Sequence, residues 1–188
     1  MKTVIVVGGG LAGLQAGVFT AKAGEKTLVL DTDESLVYNT SNIQNMVGHD
    51  SIGGHQLINQ GREKLDTFGG EFKEEEVKKV ERTDEGFKVT TTEAEYESEY
   101  VVLATAGNHE PFEPLDLEYE DGVEGPYMME KHVVTDGHNK AKGTEKVFVA
   151  GLTNTWEYQT AVAIGEGAKA AVNLLTDKYE EPYEDHDT

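Results

Sequence analysis

Thr3-Val4-Ile5-Val6-Val7 is an unbroken apolar, β-branched run with no position left for a solvated face, so it predicts a buried parallel strand. It runs straight into Gly8-Gly9-Gly10-Leu11-Ala12-Gly13, and then into Leu14 to Ala23, alanine-rich and helical in pattern, which Gly24 stops. Lys26-Thr27-Leu28-Val29-Leu30 repeats the buried-strand signature and closes on Asp31. Strand, glycine turn, helix, strand and terminal carboxylate is the order that binds dinucleotides. Gly8 permits the tight turn, Gly10 lets the backbone approach a pyrophosphate, and Gly13 lets helix and strand pack closely. The helix start offers unpaired N–H groups and a partial positive charge to phosphates. Asp31 follows Gly13 by eighteen residues, the reach at which a carboxylate meets an adenosine ribose.

Further along, Thr32 to Asn45 lacks periodicity and reads as a loop, with Asn39-Thr40-Ser41-Asn42 dense in small hydrogen-bonding side chains. After a second loop from Gly48 to Gly54, an amphipathic helix is predicted from His55 or Gln56 to Phe68, carrying Leu57, Ile58, Leu65 and Phe68 on its apolar side. Gly69-Gly70 ends it. Glu71 to Val80 predicts one extended strand leading into a meander, Asp84-Glu85-Gly86 a turn, and Phe87 to Thr92 a half-buried strand. Glu93 to Glu99 is a charged, exposed strand pair by pattern, and Tyr100 to Ala104 a buried strand ending in Thr105-Ala106-Gly107. From Asn108 to Lys131 the chain is acidic, aperiodic and punctuated by Pro111, Pro114 and Pro126, which predicts a connection and no element. His132 to Gly137 is a short strand and turn, Lys146 to Gly151 a buried strand. Gln159 to Leu175 is a long helix with small residues along it, and the last dozen residues are expected to fray.

The 188 residues fit one domain, read as 1–178 with an acidic tail at 179–188. Sixteen basic against 36 acidic side chains give a formal charge of −20. Such a surface repels nucleic acid and anionic membranes, and neither is an expected partner. It also suits a protein adapted to high salt, where screening weakens the repulsion among carboxylates. There is no cysteine, which excludes disulfides, thiolate nucleophiles and dithiol redox steps. With no leader-like opening and no run of about 18 to 20 apolar residues, a cytoplasmic location is expected.

The order of four blocks resembles the FAD-binding domain of the thioredoxin reductase family of flavoproteins. These are the opening βαβ unit; Asn45-Met46-Val47-Gly48 with the helix after it; Val101 to Gly107; and Val147 to Gly151 followed by Tyr158-Gln159-Thr160-Ala161. The resemblance implies a three-layer α/β fold, Rossmann-like, with a parallel central sheet and a β-meander. In that family a nicotinamide-binding domain carrying the redox cysteines is inserted after the strand that ends here at Gly107. Only about two dozen residues separate Gly107 from Val133, too few for a typical domain, so residues 108–131 read as a loop in its place.

By the same resemblance Gly8, Gly10, Leu11, Ala12 and Gly13 hold the FAD pyrophosphate, Asp31 and Thr32 lie at the adenosine ribose, and the Val77 backbone faces the adenine. Thr40 and Asn45 lie near the ribityl chain and ring, while Thr105, Ala106 and Gly107 wall the cofactor. Gly151-Leu152 stands where the family has Gly-Asp, so the carboxylate on the ribityl hydroxyls is missing. Thr160-Ala161 stands where it presents a Gln-Ala pair to the ring, and the glutamine is read as lost. Trp156 and Tyr158 are candidates for stacking or gating at the ring. None of the six histidines has a metal-ligand spacing, and no metal site is expected; His49 and His55 are candidate proton relays. No catalytic residue is assigned.

These features predict a small FAD-binding oxidoreductase whose electrons come from a partner protein, a small-molecule substrate at the flavin, or free NAD(P)H. A homodimer follows from the resemblance, and removing a covering domain would expose ring-facing surface. The alternatives are a non-catalytic flavin or nucleotide binder, acting as sensor, carrier or assembly protein, and an NAD-binding domain.

Overall fold

The computed structural model describes residues 1–123 and 129–185. Its centre is a parallel sheet, flanked on one face by helices and on the other by an antiparallel meander. Strand β1 (Lys2–Val7) pairs in parallel with β2 (Thr27–Asp31), and β2 with β3 (Glu71–Glu74). On its other side β1 pairs with β6 (Glu95–Leu103), whose far end pairs in parallel with β9 (Val147–Val149). The meander is β4 (Val77–Thr83), β5 (Gly86–Thr91) and the first half of β6. One strand therefore belongs to both layers: Ser98 stands opposite Phe87 of β5, while Val101 stands opposite Val147 of β9. The expected three-layer α/β fold is what the chain adopts.

Alternate residues of the apolar strands serve different cores, which is why Val4 to Val7 of β1 leave no polar position. Val4, Val6, Val29 and Val102 face α1 (Leu11–Lys22), α2 (Gly54–Thr67) and α3 (Thr160–Tyr179), meeting Ala16, Ile58, Leu65, Ala170 and Leu174. Ile5, Val7, Leu28, Leu30 and Leu103 face the meander, meeting Val80, Phe87 and Val89. Glycines set the helix distances. A Cβ on Gly17 would lie 2.6 Å from Val29 Cγ2, and one on Gly167 of α3 only 2.0 Å from the Ala12 carbonyl of α1. Small residues at these positions let backbone approach backbone.

Several expectations are corrected. The extended stretch Glu71 to Val80 is two strands, because β3 completes the edge of the parallel sheet before the chain turns into β4. The charged run Glu93 to Glu99 and the buried run after it are one nine-residue strand. The loop Thr32 to Asn45 contains a 3-10 turn at Leu36–Asn39 and an Ile43–Ile52 bridge. Residues 108–131 are more than a connection. Pro111 sits in the first turn of a 3-10 helix, Glu110–Leu115, that places Phe112 and Leu115 in the core beneath the meander. Beyond it β7 (Tyr119–Asp121) and β8 (Lys131–Val133) form a two-stranded ribbon; Pro126 lies outside the described residues. Helix α3 runs to Tyr179, and residues 180–185 fold back instead of fraying. Tyr183 packs on the helical core and Lys22 pairs with Asp185 at 2.9 Å.

Candidate functional site

The site is built on the turn between β1 and α1. Gly8 has φ +99°, and a Cβ there would lie 2.4 Å from the Ala104 carbonyl oxygen. A Cβ on Gly13 would lie 1.8 Å from the Gly8 carbonyl oxygen, so Gly13 is what lets the helix start against the strand. At Gly10 the nearest atom, Ser35 Oγ, is 3.5 Å away, and its missing side chain faces open space. Helix α1 begins at Leu11, three residues before the apolar periodicity, with Gly10 as its extended N-cap and no side chain capping it. The first helical donor to Gly10 is Leu14 N–H, at 2.8 Å, which leaves the N–H groups of the first turn without an intrahelical acceptor. No acidic residue competes for them in that turn. Asp31 Oδ1 accepts from Gly9 N–H at 2.8 Å and Oδ2 from Asp33 N–H at 3.1 Å, so the carboxylate is fixed at the rim of the turn.

Above this turn, at the carboxyl ends of the parallel strands, lies a cavity of about 490 Å³. Gly8, Gly10, Leu11, Ala12, Asp31, Thr32, Thr40, Val77, Thr105, Ala106, Gly151, Leu152, Tyr158 and Thr160 all line it. Residues from β1, β2, β4, the end of β6, the turn after β9 and the start of α3 thus meet as their sequence positions suggested. Gly13, Asn45, Gly107 and Ala161 do not line it; Gly13 is buried in packing, and Ala161 faces solvent. His49, His55 and Trp156 also lie outside the lining. His55 instead stacks on Tyr38, with ring centroids 4.0 Å apart. Residues not anticipated include Glu34, Ser35, Leu36, Val37, Glu75, Glu76, Ala104, Asn108, Pro111, Ala150 and Ala163. Nothing in the periodicity marks them, since all but Ala163, on the first turn of α3, sit on turns or strand ends whose path the tertiary fold decides. Only the Glu75-Glu76 pair beside Val77 offered a signal.

The lining is acidic. Asp31, Glu34, Glu75 and Glu76 contribute carboxylates, and no Lys or Arg is among the lining residues. Glu75 accepts from Thr91 Oγ1 and from the Tyr96 hydroxyl, each at 2.7 Å. Burial alone would raise its pKa, but these donors and Lys73 outweigh burial and hold it below the usual glutamate value. Asp33 is likewise held low, by the Tyr38 hydroxyl and then by Arg62 at 2.5 Å. Tyr38 is pushed up to about 12 by burial and by that same carboxylate. Arg62 also sits over the Phe72 ring, its Cζ 4.0 Å from the centroid.

At the opposite end, Gln159 is the N-cap of α3, not its first residue, with extended φ −67° and ψ 141°. Asn45 Nδ2 donates to Gln159 Oε1 at 3.2 Å. The side-chain amide read as lost is therefore present one residue earlier, tied to Asn45. The Gly151–Thr153 turn is held from beneath. Buried His132 donates from Nδ1 to the Leu152 carbonyl at 3.0 Å. Glu166 Oε2 accepts from Asn154 Nδ2 at 2.7 Å and from Asn139 Nδ2 at 2.8 Å. His109 donates from Nε2 to the Lys131 carbonyl at 3.1 Å, and burial lowers its pKa, favouring the neutral ring.

A glycine-turn βαβ unit whose cavity closes between a parallel sheet and a meander defines a dinucleotide-binding class of protein. The sequence profile of the family Pyridine nucleotide-disulphide oxidoreductase matches residues 2–167, and the chain belongs to that family. It is 28% identical over 164 residues to a thioredoxin reductase of Treponema pallidum (strain Nichols), covering 80% of this chain and 53% of that protein. It is 27% identical over 137 residues to a ferredoxin–NADP reductase of Streptococcus sanguinis (strain SK36), covering 69% and 42%. The chain thus spans about half the length of the curated relatives it matches. Among solved structures, a thioredoxin reductase from Gloeobacter violaceus superposes with a TM-score of 0.81 at 17% identity, covering 100% of this chain and 99% of that one. No helix among the described residues is long and apolar enough to cross a membrane.

Proposed function

We propose that the chain is an FAD-binding oxidoreductase module that exchanges electrons with an external partner protein or substrate. The observation that carries the reading is one cavity with two matched ends. The unpaired N–H groups of α1 and the Asp31 carboxylate stand at one end, and the Asn45–Gln159 amide pair stands beside the other. The residues fit an adenine dinucleotide. Gly10 and the first turn of α1 would take the diphosphate, Asp31 the ribose, the Val77 backbone the adenine, and the Gln159 region the ring.

When bound, the flavin supplies reversible electron transfer at its ring. The protein's part is placement. Asp31 and its two backbone donors fix the adenosine end, and His132 and Glu166 hold the Gly151–Thr153 turn beneath the middle of the cavity. Leu152 contributes a side chain that accepts no hydrogen bond, so this turn would hold the ribityl region of a bound flavin through its backbone. With no cysteine in the chain, these residues offer a bound flavin no dithiol to reduce.

A second reading, a flavin binder without turnover, is favoured by Leu152 and by the same absence of cysteine. Two measurements decide. Absorbance and mass spectrometry of the purified protein identify the bound nucleotide, and FAD is expected in place of NAD. Stopped-flow absorbance with NADH, NADPH and reduced ferredoxin then follows the flavin; bleaching by none of these, with FAD bound, supports the binder.

A further inference from the structure

Large apolar side chains meet solvent together at one place. Val47 is 102% exposed, Trp156 48%, Tyr158 47% and Val162 36%. The Asn45–Gln159 hydrogen bond holds the loop carrying Val47 against the start of α3, where the other three sit. Tyr158 also lines the cavity, so the patch borders the proposed flavin site. Exposed apolar residues scattered singly are ordinary, but a group of them beside a site marks a surface that another molecule covers.

Charge decides the kind of molecule. Residues 27–61 and 147–168, within which Val47, Trp156, Tyr158 and Val162 fall, contain no Lys or Arg. Exposed Asp50 and Glu157 stand three residues from Val47 and beside Trp156. Cations lie elsewhere: Lys2, Lys26 and Lys88 line a groove at the opposite, amino-terminal end of the parallel strands. A second copy would set an acidic rim against an acidic rim on chains of charge −20, which opposes self-pairing. We propose that this face docks a protein presenting Lys or Arg side chains around an apolar centre. The inference rests on the reading of an external electron partner and adds where, and by what chemistry, that partner binds.

The test titrates isotope-labelled protein, saturated with FAD, with ferrous cytochrome c, a cationic carrier whose haem edge is ringed by lysines. Amide shifts are expected to concentrate at residues 44–50 and 156–165. Val47→Asp and Val162→Asp each weaken the complex by about tenfold, although each adds a negative charge. A merely electrostatic encounter would tighten in both variants, and that result overturns the proposal. So do shifts spread over the whole surface, or no complex at the lowest salt concentration at which the protein stays folded with FAD bound. Self-association that broadens the same amides and is abolished by Val47→Asp gives the face to a second copy and overturns it too. Repeating the titration without FAD separates the two readings. Docking by a protein that never binds FAD removes the flavin, and FAD binding without docking removes only this surface.

Discussion

Gly10 and Gly13 sit three residues apart in one turn, yet substitution separates them. Gly13→Ala forces a Cβ into the Gly8 backbone, and a fall in thermal midpoint is expected. Gly10→Ala meets nothing closer than 3.5 Å and leaves the midpoint unchanged, while FAD affinity, read by fluorescence titration, drops by about tenfold or more. Asp31→Ala strips Gly9 and Asp33 N–H of their acceptor, at about 1–3 kcal/mol for an unsatisfied group, so stability and affinity should fall together. Asp33 and Glu75 have pKa values held below those of the unfolded chain. Their stabilisation is complete above the unfolded values and is lost as acid carries the pH down through the folded ones. Glu75→Gln should flatten that acid limb in a denaturation series. The glycines and Asp31 were legible in the sequence because the backbone permits little else there. The Asn45–Gln159 pair was not, since whether Gln159 enters α3 or caps it depends on the loop it touches.

Among the elements, the segment from Glu110 to Leu115 shows where pattern reading stops. Two prolines and two glutamates in six residues imply a solvated link, yet Phe112 is fully buried. Its aromatic side chain fills a space between sheet and meander that only the assembled layers create. Phe112→Ala is expected to cost about 3–5 kcal/mol, measurable by urea denaturation, whereas Glu113→Ala on the exposed side of the same turn should cost almost nothing. The long β6 was hidden for a related reason. Its first half alternates and its second half is uniformly apolar, because one strand crosses from a half-solvated meander into a sheet covered on both faces. The runs Thr3 to Val7 and Tyr100 to Ala104 were readable because both faces of each strand are covered. The helix ends and short turns were not, being set by capping and contact.

For the molecule as a whole, charge is the controlling quantity. A bound dinucleotide would carry its diphosphate into a cavity with four carboxylates and no cation among its lining residues, on a chain of −20. Added salt shortens the reach of that repulsion to about 10 Å at 0.1 M. FAD affinity should therefore rise with ionic strength, as should the thermal midpoint; a titration at several salt concentrations in which affinity falls instead would refute this. The same balance bears on the crossover after Gly107. The chain leaves and re-enters through β7 and β8, where Asp121 stands opposite Lys131, and His109 ties the departing segment to the returning one. Exit and return are thus one strand spacing apart, roughly 4.8 Å. That makes the ribbon a natural splice point: a self-folding module with adjoining termini, such as a fluorescent reporter, can be grafted between them without prying the sheet open.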